Sequence, residues 1–294
     1  AFSNCQNLET IEFSQNLTTI EKFAFGSCSN LRSVTIPDSV TSIGSFAFFG
    51  CKNLKSITFG NGLLSIGDEA FYDCVGLTSL AIPEGTKSLG KWAFNDCANI
   101  ESVVIPDSME TIAFGAFYKC TGLKEVHIKN LESWLKISFE ADGTNPLFDS
   151  DAGLYIDGKL LTDLVIPEGV ESIGAYQFAG NHYLNSVRLP DSLKSIGQDA
   201  FNSCDVDEVH CSSLGVWLGI DFEGETARAL SDALLIDGKR VTDAVIPEGI
   251  TRIDDYAFYY CSDLRSVIIP DSVESIGTYA FYQCSNLADI TFGD

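Results

Sequence analysis

"LRSVTIPDSVTSIGSFAFFGCKN", residues 31–53, returns with small changes along most of the 294-residue chain. Its apolar positions are Leu31, Val34, Ile36, Val40, Ile43, Ala47, Phe48 and Cys51. Phenylalanines 2, 25, 48, 71, 94 and 117 stand 23 apart, and the pairs Phe178/Phe201 and Phe258/Phe281 keep the step. Cysteine follows three residues after most of them, at Cys5, Cys28, Cys51, Cys74, Cys97, Cys120, Cys204, Cys261 and Cys284; Asn181 takes the slot after Phe178. A fixed period of this length is the signature of a solenoid. One unit has too few apolar side chains to offset the entropy of ordering it. Stacked units share their apolar faces and exchange backbone hydrogen bonds, so they fold together or not at all.

Within the unit "SVTI" alternates outward and inward and is bounded by proline, the pattern of a short strand. Pro37, Pro83, Pro106, Pro190 and Pro270 each lie twelve residues after a landmark Phe, where a missing N–H ends the ladder harmlessly. Twelve rungs are expected, near 8–13, 31–36, 54–59, 77–82, 100–105, 123–128, 161–166, 184–189, 206–211, 241–246, 264–269 and 287–292.

The stretch "IPDSVTSIGSFAFFGCKNLKSITF", residues 36–59, resembles the BspA-like class of bacterial leucine-rich repeats, and the likeness covers nearly the whole chain. It departs from the commonest leucine-rich pattern, since Ser39, Ser108 or Ser192 stands where Asn or Cys follows the strand. The resemblance implies a repeat solenoid: a right-handed, β-rich superhelix, with about twelve short parallel strands making a horseshoe sheet. It also implies a secreted or surface-displayed protein concerned with adhesion or host contact. The family's binding surfaces do not reduce to a residue motif, so no functional residue is carried across.

The formal charge is −23, from 41 acidic and 18 basic residues. That field repels phosphate backbones and anionic lipid, which argues against nucleic acid and membrane surfaces as partners. Hydrophobic residues make up 45%, yet no run approaches the ~18 apolar residues of a spanning helix. The opening "AFSNCQNLET" shows no charged n-region and no apolar h-region. Neither end carries the polar cap a solenoid needs, so the native protein is expected to extend further or to be capped by other segments.

Ten cysteines in an extracellular chain would ordinarily suggest a disulfide framework. Phase argues otherwise: equivalent residues of successive coils point the same way, whereas a disulfide needs Cβ atoms turned toward each other. Free, buried thiols are expected, Cys211 included, because "CDVDEVHC" aligns it with Ile128. No C-x-x-C occurs, and zinc is not expected.

The beat breaks twice. Phe117 to Phe178 is 61 residues and Phe201 to Phe258 is 57. Each break runs through an aromatic-aliphatic stretch, "ESWLKISFEAD" or "GVWLGIDFEGE", then a polar crossing, then "YIDGKLL" or "LIDGKRV". Asp-Gly between apolar strands is the strongest short hairpin signal. "LYIDGKLLTDLVIPEGV" (154–170) and "LLIDGKRVTDAVIPEGI" (234–250) agree at twelve of seventeen positions. The expected organisation is one solenoid over 1–294: regular coils 1–128, an excursion 129–160, coils 161–211, an excursion 212–240 and coils 241–294. The excursions either tuck onto the solenoid through Trp134 and Trp217 or also wall off part of the sheet as a binding surface.

Outward strand positions form two columns on the concave face. Early in the chain they are Ser and Thr; beside the excursions they change to Glu125, Asp163, Glu208 and Asp243, with His127, Arg188 and His210 nearby. If each excursion loops out, Glu125 would neighbour Asp163 and Glu208 would neighbour Asp243 at about 4.8 Å, close enough to hold Ca²⁺ or share a proton. His127 and His210 are three rungs apart and cannot ligate one metal. A second candidate is an aromatic edge, Trp92, Tyr176, Tyr256 and Tyr279, two positions before the landmark beside Phe23 and Phe46. Phe49, Tyr72, Tyr118, Tyr259 and Tyr282 adjoin it. Proteins and sugars both dock on such rows, and coil-to-coil packing would use them too.

"DSDAG" (149–153) is too short for an EF-hand loop, and "NLT" (16–18) fits an N-glycosylation sequon. Nucleophile elbow, H-E-x-x-H, P-loop and dinucleotide motifs do not occur. The expectation is a non-enzymatic module without cofactor, outside the cell, binding a protein on the concave face near the excursions. A glycan on the aromatic edge and a passive spacer are the alternatives.

Overall fold

The computed structural model describes residues 2–141, 143–148 and 150–293. Asp149 of "DSDAG" lies outside the described residues. Contacts group the chain into two compact units, one covering 1–161 and 176–181, the other 162–175 and 182–294. Both are parallel-strand solenoids, with about twelve turns in all.

In the first unit Ser33–Thr35 pairs with Ser56–Thr58, and Ser79–Ala81, Ser102–Val104, Glu125–Ile128 and Gly153–Ile156 follow as a parallel ladder. A second ladder runs through Thr19–Ile20, Ser42–Ile43, Ser65–Ile66, Ser88–Leu89, Thr111–Ile112 and Ser138–Phe139. The second unit repeats the plan. Asp163–Val165, Ser186–Arg188, Glu208–Cys211 and Leu234–Ile236 form one ladder, and Asp243–Val245, Ser266–Ile269 and Asp289–Phe292 form another. Helix is scarce: α1 is Leu131–Trp134 and α2 is Leu214–Leu218. The rung expected at 8–13 is not a regular strand, although Glu9 still accepts a backbone bond from Arg32 at 3.3 Å.

Strand spacing fixes how closely coils approach, and the sequence records it. In the "IG" slot the amides of Gly44, Gly67 and Gly90 donate to Ile20, Ile43 and Ile66 at 2.7, 2.8 and 2.8 Å. A Cβ on Gly90 would stand 2.5 Å from the Asp68 nitrogen and the Gly67 carbonyl carbon. Ala113 fills the same slot with a Cβ, and its bond to Leu89 is 3.0 Å.

The landmark rings form a column. Centroids of Phe2, Phe25, Phe48, Phe71, Phe94 and Phe117 step by 5.2–5.6 Å with nearly parallel planes, and Phe258–Phe281 repeats this at 5.1 Å. A disulfide framework is absent among the described residues; Cys5 is exposed, Cys204 half-buried, and the other eight cysteines buried. Their thiols do more than fill space. Cys51, Cys74, Cys97 and Cys120 donate to the carbonyls of Phe25, Phe48, Phe71 and Phe94 at 3.1–3.2 Å, one coil back. Cys284 does the same to Phe258 at 3.0 Å. Asn181, in the one odd slot, is wholly buried, and neither amide atom finds a partner among the described residues.

The breaks in the beat are coils of their own. After Glu125–Ile128 the chain forms α1, capped by the Asn130 side chain on the Ser133 amide at 2.9 Å. Ser138–Phe139 then joins the second ladder, and Gly153–Ile156 pairs back onto Glu125–Ile128. Such a coil has no landmark Phe. In regular coils the amide of Phe25, Phe48, Phe71 or Phe94 donates to the Ala carbonyl of the next coil at 2.7–2.8 Å. Here an indole takes over: Trp134 Nε1 donates to the Gln177 carbonyl at 2.9 Å, and Trp217 Nε1 to the Ala257 carbonyl at 3.0 Å. Both tryptophans are completely buried. The Asp-Gly turn follows, and Lys159–Leu160 and Lys239–Arg240 return antiparallel along the sheet edge.

Trp217→Phe keeps an aromatic ring but strands the buried Ala257 carbonyl, a loss of about 1–3 kcal/mol, whereas Trp134→Phe leaves the Gln177 carbonyl its bond from the Asn145 side-chain amide at 3.0 Å and should cost less. Denaturant melts should shift accordingly, and an unchanged midpoint would show the indole donor to be dispensable. The thiol ladder predicts alkaline lability. Burial pushes the thiols of Cys51 and Cys120 up to about 12 and that of Cys284 to about 11, from an ordinary value of 9.0. The unfolded chain therefore sheds these protons first, so stability is full below pH 9 and falls as pH rises toward 12. In a thiol-labelling assay at neutral pH, only Cys5 and Cys204 should react rapidly.

Candidate functional site

The candidate residues divide between the units. Glu125, His127, Trp92 and Tyr176 belong to the first; Asp163, Arg188, Glu208, His210, Asp243, Tyr256 and Tyr279 belong to the second.

The expected carboxylate pairs do not form. Gly153 stands opposite Glu125, because the strand before the Asp-Gly turn is itself a rung. Leu234–Ile236 likewise pairs onto Val209–Cys211, and Asp243 is opposite Ser266. Each glutamate instead meets a histidine two residues on, where a strand's alternation returns a side chain to the same face. His127 Nε2 lies 2.8 Å from Glu125 Oε2, and His210 Nε2 lies 3.0 Å from Glu208 Oε2. The "EVH" written twice in the sequence was the available signal. The rung beyond covers each ring differently: Tyr155 packs on His127 at 4.9 Å between centroids, whereas Leu235 stands opposite His210.

Asp163 and Asp243 are equivalent to one another. The Ser186 hydroxyl donates to Asp163 Oδ1 at 2.7 Å and the Thr162 hydroxyl to Oδ2 at 2.8 Å. Ser266 and Thr242 repeat the arrangement on Asp243. These donors, the serine foremost, hold both carboxyls below the usual aspartate range. The two aspartates fasten the first rung of a ladder to the second. Ligation of Ca²⁺ by adjacent carboxylates loses its geometric basis, and no cluster of three or more His, Cys, Asp or Glu suited to a metal occurs among the described residues.

What the second unit does assemble is a groove. In register across one face run Val165, Arg188, His210 and Leu235. Val165 is 55% exposed, while the His210 side chain is 19% exposed. Glu168 and Asp191 rim this row at the strand ends, and Asp237–Gly238, the tip of the second hairpin, walls it. The enclosed volume is about 660 Å³. Sequence reasoning found Arg188 and His210 but missed Val165, Glu168, Asp191 and Asp237.

The aromatic edge is mostly packing. Trp92 lies over Gly115, where an added Cβ would come within 2.4 Å of its ring, and meets Phe114 edge-on at 4.8 Å. Phe23 and Phe46 stack at 4.7 Å. Residues in this slot take a left-handed backbone, φ 56 at Phe23, 60 at Trp92 and 57 at Tyr176. The conformation belongs to the repeat and marks no single site. Tyr256 and Tyr279 differ in lining a cleft with Glu225 and Arg228.

The repeat geometry and its sequence agree with one family. The model of the BspA type leucine rich repeat region matches residues 1–97, 43–143, 155–216 and 236–294. The chain belongs to that family. No curated protein matches it. Among solved structures, a leucine-rich repeat protein from Bacteroides ovatus is 22% identical over 93% of this chain and 82% of its own, with a TM-score of 0.52, a likeness of fold alone. A leucine rich cell surface protein from Faecalibacterium prausnitzii is 27% identical, covering 95% and 83%, at a TM-score of 0.40. The pneumococcal vaccine antigen PcpA is 24% identical, covering 95% and 54%, at 0.33. The last two superpose too loosely to support any inference. Among the described residues no helix is long and apolar enough to cross a membrane. In BspA type terms, the regular coils carry Ser and Thr on the strand face, and the charged candidates gather where a 23-residue coil gives way to a longer one.

The fastening role of Asp163 and Asp243 has a measurable sign. Depressed carboxyls stabilise the fold at neutral pH, and that contribution disappears as pH falls through their lowered values. Ser186→Ala and Ser266→Ala should raise the carboxyl titrations of Asp163 and Asp243 toward the ordinary range, read by carbon-detected NMR. Unmoved titrations would rule the hydroxyls out as the cause.

Proposed function

We propose that this chain is a non-enzymatic binding module, displayed outside the cell, that receives a protein ligand on the strand face beside the second excursion. The supporting observation is the groove around Arg188 and His210. It combines one guanidinium, three carboxylates and an exposed valine within a wall made by the hairpin tip. That mixture suits a protein surface carrying both charge and apolar side chains, because an arginine beside an apolar contact is the composition of interface hot spots. Glu125 and His127 supply a smaller patch of the same chemistry in the first unit. A binding reading fits better than a catalytic one. His127 and His210 are each held against a glutamate, and among the described residues neither ring is bonded to a hydroxyl or thiol that could serve as nucleophile.

The module's net charge of −23 favours a basic partner, with long-range attraction that speeds encounter and is screened by salt. Biolayer interferometry against a panel of purified extracellular-matrix proteins tests the reading. For any protein retained, Arg188→Glu should weaken binding at least tenfold and His210→Ala severalfold, while Lys91→Glu leaves it unchanged. Equal retention by Arg188→Glu and the parent chain would remove the groove from the binding surface.

A further inference from the structure

Tyrosine occupies two phases of the repeat in two successive coils of the second unit. Tyr256 and Tyr279 stand two positions before the landmark Phe, and Tyr259 and Tyr282 one after it. Within a coil the rings meet edge to face, 5.5 Å apart for Tyr256–Tyr259 and 5.1 Å for Tyr279–Tyr282. Between coils Tyr259 stacks on Tyr282 at 5.4 Å and 13°, and Tyr256 leans on Tyr279 at 5.7 Å and 33°. The result is a two-by-two block of phenols. Comparable blocks elsewhere, such as Phe46–Phe49, are rings packed on rings.

This block has a second wall because the second excursion precedes it. Where a regular coil would place another aromatic pair, the first of two 3-10 turns, Thr226–Ala229, brings in Arg228, with Glu225 just before it. The Arg228 guanidinium lies 5.4 Å from the centroid of Tyr259 and bonds Glu225 Oε2 at 3.1 Å. Glu225 also faces Tyr256, and burial first, then this neighbouring carboxylate, hold that phenol above its ordinary value. Together they enclose a cleft of about 260 Å³. Across the Glu225–Arg228 pair lies a second depression of about 370 Å³, with Asp199, Asn202 and Ser203 in its wall. The two hollows share Glu225 and Arg228 and nothing else.

The chemistry narrows the occupant. Ring faces offer an apolar platform, and phenol hydroxyls, a carboxylate, a guanidinium and an amide surround it with donors and acceptors. Arg228 and Glu225 neutralise each other, so the tyrosine cleft selects for no net charge. A quaternary ammonium, the usual guest of an aromatic cage, would compete with the guanidinium already over Tyr259. An anion would face Glu225 and Asp199. A neutral ring with an apolar C–H face and a rim of hydroxyls satisfies both halves of the cleft. The adjoining polar hollow suits a continuation of the same polyhydroxylated chain.

We propose that this groove binds a neutral oligosaccharide. One pyranose ring lies against the tyrosine block with vicinal hydroxyls on Glu225 and Arg228, and the next sugar extends over Asn202 and Ser203. The site shares no residue with the groove at Arg188 and His210, so it stands or falls independently of the proposed protein ligand.

The test uses the full chain on an array of neutral, sialylated and sulfated oligosaccharides together with a choline-derivatised surface. Neutral glycans should be retained, and sialylated, sulfated and choline surfaces should not exceed them. Tyr256→Asn removes the ring while tolerating the left-handed backbone, φ 60. It and Arg228→Ala should each lower retention at least tenfold, Glu225→Gln severalfold, and Arg188→Glu not at all. Arg228 is exposed on a surface turn, so its variant remains informative if Tyr256→Asn fails to fold. Absence of any neutral glycan, preference for anionic or choline surfaces, or undiminished retention by Arg228→Ala would overturn the proposal.

Discussion

The separation of parallel strands, about 4.8 Å in the hydrogen-bonding direction, governs every position of this chain. A residue and its equivalent one coil later must fit side by side at that distance, so identity at each slot is a packing condition. Glycine in the "IG" slot is the sharpest case, since coil backbones approach to where a Cβ on Gly90 would meet the Asp68 amide nitrogen at 2.5 Å. Phenylalanine meets the same condition by another route. Flat rings stacked at 5.2–5.6 Å nearly match the rung spacing and leave no void along the axis. Cysteine is small enough to sit in the column and polar enough to bond the carbonyl of the coil before, which serine would do only by carrying a more strongly hydrated hydroxyl inside.

The same condition explains how the two excursions are tolerated. An insertion that looped out and rejoined would leave the sheet face to close over a gap. The chain instead lays down another rung at each break, Gly153–Ile156 on Glu125–Ile128 and Leu234–Ile236 on Val209–Cys211. The missing landmark amide is replaced by a tryptophan indole at both breaks, on equivalent carbonyls. Coil length can therefore vary widely as long as three things persist: the strand, the second short strand and one donor aimed at the landmark carbonyl.

The period, the strand phase, the buried thiols and the Asp-Gly hairpins were legible because each repeats in sequence what it repeats in space. The rung inside each excursion was not. "LYI" and "LLI" lack the Phe, Cys and Pro landmarks, and Gly153 follows Glu125 by 28 residues, so a 23-residue template passes over them. That omission alone produced the expectation that Glu125 neighbours Asp163. The Glu–His pairs follow from strand alternation within "EVH" and were open to inspection. Glu225 and Arg228 were not, since "TARALSD" carries no periodicity and only tertiary structure sets its turn beside Tyr256 and Tyr259.

Strict repetition limits what a solenoid surface can offer, because a column of identical serines presents the same weak chemistry at every rung. A site needs unlike groups brought together, and among the described residues both grooves lie where the repeat is interrupted. The second excursion brings such groups together on two edges at once. Its hairpin tip adds Asp237 to Arg188 and His210 on the strand face, and its first 3-10 turn adds Arg228, with Glu225 just before it, to the tyrosine block. Both additions come from segments free of the 23-residue packing condition, which is why their side chains can differ from those of their neighbours. The regular coils then act as the rigid frame, with spacing too constrained to vary, and the interruptions as the places where recognition can be written without disturbing the stack.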